Sequence, residues 1–106
     1  MQNKYSALFS PGKLGNLTVK NRVVMAPMLV SYGLASGEVS QRLLDYYEAR
    51  ARGGVGIIIV EAACIHPSGM EASTQLRIDQ PRYLSGLEHL AETIKAHSVG
   101  AFIQLL

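Results

Sequence analysis

Few residues in this chain have side chains that could do chemistry. Glu61 ends an apolar segment and could be a buried carboxylate with a special partner, although an arginine or helix-dipole contact that only anchors a sheet explains it equally well. Cys64 could be a reactive thiol, but a lone cysteine just after a strand is more often a small packed hydrophobe. His66, His89 and His97 have no metal-ligand spacing with one another or with the cysteine, so the sequence predicts no metal site.

Glycine-rich phosphate loops are missing from the sequence. Neither Gly-x-Gly-x-x-Gly nor Gly-x-x-x-x-Gly-Lys followed by serine or threonine occurs, so a nucleotide phosphate loop is not predicted. Gly53, Gly54 and Gly56 precede an apolar segment instead of opening a helix, which is typical of a helix stop.

Alternating apolar and amphipathic segments predict the elements that position these residues. Leu17–Val19 and Arg22–Ala26 are separated by Lys20 and Asn21, which predicts a hairpin. Strand–helix alternation favours right-handed crossovers, so the main strands are expected to be parallel neighbours in chain order. The predicted strands are Val23–Ala26, Val55–Val60 and Ala101–Leu105, and the predicted helices are Gln41–Arg52, capped by Ser40, and Arg82–His97.

Length and composition favour one small α/β domain, residues 1–106. With 48% hydrophobic residues, 17% charged residues and a net charge of +2, the chain is globular, and neither nucleic acid nor a membrane is predicted as a partner. The longest apolar runs, Val23–Ala26 and Ile57–Val60, are far shorter than the roughly 20 residues that span a bilayer, and no signal peptide is recognisable, so a cytoplasmic location is predicted. Three parallel strands with two helices leave sheet edges exposed, so we expect a partial domain that belongs to something larger.

Two long segments follow predicted strands. Ligands of parallel α/β sheets sit beyond the carboxyl ends of the strands, where residues 27–36 and 61–79 lie. Both segments exceed the usual βα loop length of about 2–6 residues. They therefore indicate a functional edge, with tolerated surface insertion as the alternative.

Four motifs in the chain resemble the old yellow enzyme family of flavin oxidoreductases. In chain order they are the opening segment Leu8–Pro11 with Leu14–Leu17, the strand and turn Asn21–Met28, the helix and strand Tyr46–Ala51 with Gly54–Ala62, and the last strand Phe102–Leu105. The resemblance is strongest to the bacterial branch of enoate reductases, 2,4-dienoyl-CoA reductases and related NADH:flavin oxidoreductases. The chain is similar to the N-terminal part of such an enzyme.

The resemblance implies a fold, an activity and cofactors. The family folds as a TIM (βα)8 barrel of about 250 residues, of which this chain would supply about three βα units. FMN would bind at the carboxyl ends of the strands, and hydride would pass from NAD(P)H through the flavin to an α,β-unsaturated carbonyl substrate such as an enoate, enone or dienoyl compound. FAD and an iron–sulfur cluster, which longer relatives carry, would lie outside this chain.

The resemblance also implies cofactor-binding residues. The backbone of the turn after the first strand would lie against the isoalloxazine ring, a small residue after the second strand would let the backbone approach its pyrimidine edge, and a glutamine amide on the third would hydrogen-bond to that edge. These residues are Ala26, Pro27, Met28 and Leu29 in the turn, Ala62 after the second strand and Gln104 on the third.

Two positions depart from the family pattern. Many relatives have threonine or cysteine where this chain has Leu29, whose side chain donates no hydrogen bond, so only its backbone N–H can serve the flavin. Tyr32 lies about one residue out of register with a tyrosine that some relatives offer to the substrate, and packing against the loop is its alternative role. The family's histidine or asparagine grip on the substrate carbonyl has no counterpart in the chain, so catalytic residues stay unassigned and the chain alone is expected to be inactive.

Two other functions stay open. The chain could be a non-catalytic partial-barrel module, and its exposed edges predict a homo-oligomer in either case. It could also be another flavin- or phosphate-binding TIM barrel, such as a dihydroorotate-type dehydrogenase. The turn Ala26–Pro27–Met28 and the glutamine Gln104 favour the reductase over that barrel.

Overall fold

A parallel β-sheet with two helices on one face forms the centre of the protein. The computed structural model describes residues 4–106. The strands are β1 (Gly12–Leu14), β2 (Leu17–Val19), β3 (Val24–Met25), β4 (Ile57–Cys64), β5 (Leu76–Arg77) and β6 (Gly100–Leu105), and the helices are α1 (Gln41–Arg52) and α2 (Leu84–Lys95).

Strand β4 is the middle of the sheet. It pairs in parallel with β6 along one side, and with β3 near its amino end and β5 near its carboxyl end. The predicted parallel arrangement of the three main strands is confirmed. Strand β5 was not predicted, because its two residues lie inside the polar segment that was expected to be a loop.

The core lies between the sheet and the two helices. Helix α1 begins at the Ser40 side chain, whose Oγ accepts a hydrogen bond from the Leu43 N–H at 3.0 Å. Its apolar residues recur at helical spacing and meet one face of β4 together with α2. The buried cluster consists of Leu43, Leu44, Tyr47, Ala51, Ile58, Val60, Ala63, Leu76, Leu90, Ile94 and Val99.

The hairpin lies earlier in the chain than the sequence pattern predicts. Strand β2 pairs antiparallel with β1, around a turn in which Gly15 has a φ of 57°, and not with the segment after Lys20. The predicted Leu17–Val19 to Arg22–Ala26 hairpin is therefore wrong. Asn21 is the physical reason: its buried side chain bonds the Gly54 carbonyl and the Val23 N–H, which directs the chain into the parallel sheet.

The β1–β2 hairpin covers the amino ends of the sheet strands. A Cβ on Gly100, the first residue of β6, would lie 3.2 Å from a Leu17 methyl and 3.4 Å from both Val19 and Ile57. The opposite edge of the sheet, where the strands end, is left to the two long loops.

Several element boundaries differ from the prediction. Strand β4 runs from Ile57 to Cys64, two residues later at its start and four later at its end than predicted. Helix α2 ends at Lys95, and a 3-10 turn over Pro81–Tyr83 precedes it, so His97 lies outside the helix where it was predicted. Within residues 4–106, neither helix has the length and apolar character needed to cross a membrane.

Candidate functional site

The predicted cofactor residues collect at the carboxyl edge of the sheet. Strands β3, β4 and β6 are parallel, so their carboxyl ends meet at one edge. Ala26–Leu29 follow β3 directly, Ala62 lies near the end of β4 and Gln104 near the end of β6. The structure thus brings together at one edge three segments that are far apart in sequence.

Strand β6 presents Gln104 on the face away from the helices. Ala101 and Ile103 pack against the core, so the alternating residues Phe102 and Gln104 point to the other face, where Phe102 is 43% exposed. Gln104 is exposed, and its amide makes no hydrogen bond with any group in residues 4–106. The Gln104 amide therefore offers one donor group and one acceptor on the sheet face that also carries Phe102.

The turn after β3 is exposed and has free backbone donors. The side chains of Met28 and Leu29 are 56% and 40% exposed, and their backbone N–H groups have no backbone partner within the described part of the chain. Ala26 is exposed and Pro27 half-buried. The turn can offer two N–H groups to a ligand at this edge.

Ala62 lies inside β4, in a β-bulge, and not after the strand as predicted. The pairing of β4 with β6 runs in register to Val60–Ile103 and resumes at Ala63–Leu105, so Glu61 and Ala62 both stand across from Gln104. The extra residue of a bulge turns a side chain away from its regular direction. This irregularity places a small residue, Ala62, beside the free glutamine.

A fully buried acid, Glu61, occupies the same bulge. The Tyr47 hydroxyl donates a hydrogen bond to Glu61 Oε1 at 3.0 Å and accepts one from the Glu61 N–H at 2.9 Å. The other carboxyl oxygen, Oε2, is buried without a hydrogen-bond partner in residues 4–106. The partner of Glu61 is therefore Tyr47, so the predicted buried carboxylate with a special partner is confirmed, and no arginine pairs with it in residues 4–106.

The protonation of this pair follows from its burial. Loss of water raises the pKa of Glu61 above its usual value of 4.5, against the opposing effects of the Tyr47 hydroxyl and the backbone N–H groups of Val30 and Ser31. Burial, and the nearby Glu61 carboxyl, also raise the pKa of the Tyr47 hydroxyl, so it stays protonated. Tyr47 acts as a hydrogen-bond donor throughout the physiological range.

Tyr32 packs against helix α1. Its ring meets the Tyr46 ring edge-on at 5.6 Å between centroids, and the Arg42 guanidinium lies 3.7 Å from its ring centre. Ser40 Oγ donates a hydrogen bond to the Tyr32 carbonyl. The ring is half-buried by these contacts, and a substrate contact by Tyr32 stays a prediction.

Hydrogen bonds at the carboxyl edge connect residues 31–37, in and just after the first long loop, with residues 74–83, at the end of the second long loop and in the 3-10 turn after it. Thr74 Oγ1 donates to the Ser31 carbonyl at 3.1 Å, the Arg77 N–H to the Gly37 carbonyl at 3.0 Å, and the Tyr83 hydroxyl to the Ser36 carbonyl at 3.1 Å. Arg77 also forms two hydrogen bonds to Asp79, at 2.9 and 2.7 Å. The loops that surround the site are ordered by each other.

The cysteine and the histidines do not form a site with these residues. Cys64 is fully buried, and its thiol donates to Met70 Sδ at 3.2 Å, which fits the packed role. His66 Nδ1 accepts the Ser68 N–H at 3.2 Å and so caps a short 3-10 turn. His97 Nε2 lies 3.7 Å from a Glu48 carboxyl oxygen on α1.

Parallel βα units whose candidate binding residues lie at the carboxyl ends of the strands are typical of TIM-barrel enzymes. Comparison with known proteins identifies the family. The profile of the NADH:flavin oxidoreductase / NADH oxidase family matches residues 7–106. The chain is 46% identical over 99 residues to the NADH oxidase of Thermoanaerobacter brockii, covering 92% of this chain and 15% of that protein.

Solved structures give the same result. A 2-naphthoyl-CoA reductase in complex with 2-naphthoyl-CoA matches with a TM-score of 0.94 and 31% identity, over 96% of this chain and 16% of that one. The old yellow enzyme from Trypanosoma cruzi matches with a TM-score of 0.85 and 27% identity, over 98% of this chain and 28% of that one.

The chain belongs to the NADH:flavin oxidoreductase / NADH oxidase family. The resemblance to old yellow enzymes and the predicted fold class, βα units of a TIM barrel, are both confirmed. The chain spans between 15% and 28% of the length of these relatives.

The residues at the carboxyl edge fit FMN, the cofactor that the family implies. An isoalloxazine ring is a flat, largely apolar surface with one polar edge of hydrogen-bond donors and acceptors. The sheet face away from the helices supplies apolar area through Phe102. On the same face the Gln104 amide supplies one donor group and one acceptor, neither with a partner in residues 4–106. The free N–H groups of Met28 and Leu29 are further donors.

The residue that sequence reasoning missed is Tyr47. Its position on the buried face of α1 was predicted from spacing, but its hydroxyl was not connected to Glu61. One signal was available, since a buried tyrosine hydroxyl needs a polar partner and Glu61 was the one acidic residue at the end of a buried strand. Spacing along the chain, however, does not show which turn of a helix faces which strand residue.

Proposed function

We propose that this chain forms part of the FMN site of an NAD(P)H-dependent flavin oxidoreductase that reduces carbon–carbon double bonds conjugated to a carbonyl group. The overall reaction consumes NAD(P)H, a proton and the unsaturated compound, and it yields NAD(P)+ and the saturated carbonyl compound. Bound FMN supplies the two-electron hydride chemistry. The chain's own residues bind and orient.

Each residue has a distinct part in this proposal. Gln104 holds the pyrimidine edge of the ring with its amide, and Ala62 leaves room for the backbone there. The Ala26–Leu29 turn supports the ring with its backbone, and the N–H groups of Met28 and Leu29 donate to ring acceptors. Donors directed at the ring stabilise negative charge on it and so raise its tendency to accept electrons.

The observation that carries the proposal is the free Gln104 amide on an apolar face, across from the β4 bulge and at the same edge of the sheet as the β3 turn. The substrate class rests on relatives. One structural match is a reductase bound to an aromatic acyl-CoA thioester, a conjugated carbonyl compound. Tyr32 is proposed as a substrate contact at the same edge. The family match favours this reductase over a dihydroorotate-type barrel.

The proposal extends to the protein that contains this chain. Residues 1–106 alone are expected to bind FMN weakly and to show no turnover, because three strands enclose only part of a ring and hydride transfer needs reacting atoms held about 3–3.5 Å apart. The same proposal includes assembly into a homo-oligomer. It also includes FAD and an iron–sulfur cluster bound outside residues 1–106. Analytical ultracentrifugation, flavin analysis and iron determination on the natural full-length protein test these points.

The activity test uses the natural full-length protein without oxygen. The flavin released by denaturation is identified, and NADH and NADPH oxidation is followed with an enone, an enoate and an enoyl-CoA thioester. The matched control is the saturated analogue of each substrate. FMN release and formation of the saturated product support the proposal, and a protein that carries no FMN or reduces none of the three substrates contradicts it.

A further inference from the structure

Glu61 is the one acidic residue buried in the described part of the chain, and it is not among the proposed FMN contacts. Burying a carboxyl group costs free energy unless hydrogen bonds compensate for the lost water. Its contacts therefore indicate what it does there.

Tyr47 joins the acid to the strand distortion. The bulge leaves the Glu61 N–H outside the regular ladder, and the Tyr47 hydroxyl accepts it at 2.9 Å. The same hydroxyl donates to Glu61 Oε1 at 3.0 Å. One hydroxyl of a core helix thus supports both the backbone and the side chain of the residue beside Ala62.

The segment after the β3 turn packs on the same core. Val30 packs against the buried cluster that contains Tyr47, and the backbone N–H groups of Val30 and Ser31 oppose the rise in the pKa of the Glu61 carboxyl. Ser31 has a φ of 60°, an unusual value for a residue other than glycine, and the Thr74 hydroxyl holds its carbonyl. A hydrogen bond from outside the segment, donated by Thr74, therefore stabilises the unusual backbone conformation of Ser31, which follows Ala26–Leu29 closely.

We propose that Glu61, held by Tyr47, is a positioning residue that fixes the Ala26–Leu29 turn and Ala62 together in the arrangement that FMN requires. The inference rests on the proposed FMN site. In this inference the buried pair Glu61–Tyr47 does not contact the cofactor. It connects two separate cofactor-contact segments through helix α1.

The test compares two variants with a matched control in the natural full-length protein. Glu61→Met keeps the side-chain size and removes the acceptors, and Tyr47→Phe removes only the hydroxyl. Tyr46→Phe is the control, because the Tyr46 hydroxyl has no hydrogen bond within residues 4–106 and its ring contacts stay. The measurements are the FMN dissociation constant, the midpoint potential of bound FMN, amide hydrogen exchange in the apoprotein, and thermal unfolding.

We expect Glu61→Met to unfold at a somewhat lower temperature than the natural protein, because the buried Tyr47 hydroxyl loses its acceptor, and to bind FMN about tenfold more weakly. Hydrogen exchange should accelerate across residues 26–32 and 60–63, the FMN potential should shift, and Tyr46→Phe should match the natural protein. Wild-type FMN affinity and potential in Glu61→Met would overturn the inference, also if Tyr47→Phe fails to fold. A natural protein without FMN affinity contradicts the proposed function itself.

Discussion

Replacing Gln104 by leucine separates cofactor binding from folding. The side chain is exposed and has no internal hydrogen bond in residues 4–106, so the substitution should change the unfolding free energy of the apoprotein by less than about 0.5 kcal/mol. Bound FMN would lose the partner of a buried polar edge, which costs about 1–3 kcal/mol. That loss corresponds to an FMN dissociation constant about 5- to 150-fold higher.

The assay is a titration of FMN fluorescence against the natural protein and Gln104→Leu, with urea unfolding of each apoprotein. The matched control is Gln80→Leu, because Gln80 is also exposed and its side chain caps nothing on the 3-10 turn that it precedes. If Gln104→Leu binds FMN as tightly as Gln80→Leu, the glutamine is not at the flavin. If Gln104→Leu unfolds far more easily than the control, the premise that its side chain is free in the apoprotein is refuted.

Three further outcomes are expected. The folded-state pKa of Glu61 lies above 4.5, so the protonated carboxyl adds stability that should fall as pH rises from 4.5 through the raised pKa. Urea unfolding at several pH values should show this decline in the natural protein and not in Glu61→Gln. Asp79 has the opposite sign: its hydrogen bonds to Arg77 lower its pKa, so its contribution should be lost as pH falls below 3.8, and Asp79→Asn should abolish that loss in the same series. Gly56→Ala should lower the free energy of unfolding by about 1–3 kcal/mol, because the new Cβ would lie 2.6 Å from the Asn21 carbonyl oxygen. An unchanged midpoint in thermal or urea unfolding would show that the chain before β3 lies farther from Gly56 than described.

Much of the fold was predictable because its signals are local. The apolar run of β4 and the four-residue spacing in α1 each act over one element, and parallel order follows from their alternation. The hairpin was misplaced because Lys20 and Asn21 resemble a turn in isolation. Only the folded chain shows Asn21 buried against Gly54, a contact across 33 residues.

The site was predictable to a different degree. Ala26–Leu29, Ala62 and Gln104 were named through a family resemblance, and the structure places them at one edge without testing their contacts to FMN. The bulge in β4 could not be predicted, because it depends on the register between two strands and not on either strand alone. Tyr47 was missed for the same reason, since its hydroxyl acts across the interface of a helix and a strand.

The fastening of the two long loops has a consequence for protein engineering. Three hydrogen bonds, from Thr74, Arg77 and Tyr83 to backbone carbonyls of residues 31–37, connect segments that lie on opposite sides of α1 and β4 in the sequence. A chimera with its crossover in α1 would combine one loop from each parent and lose the match between them. Residues 27–37 and 65–83 are therefore best treated as one exchangeable unit, and loop exchange among relatives should transfer both or neither.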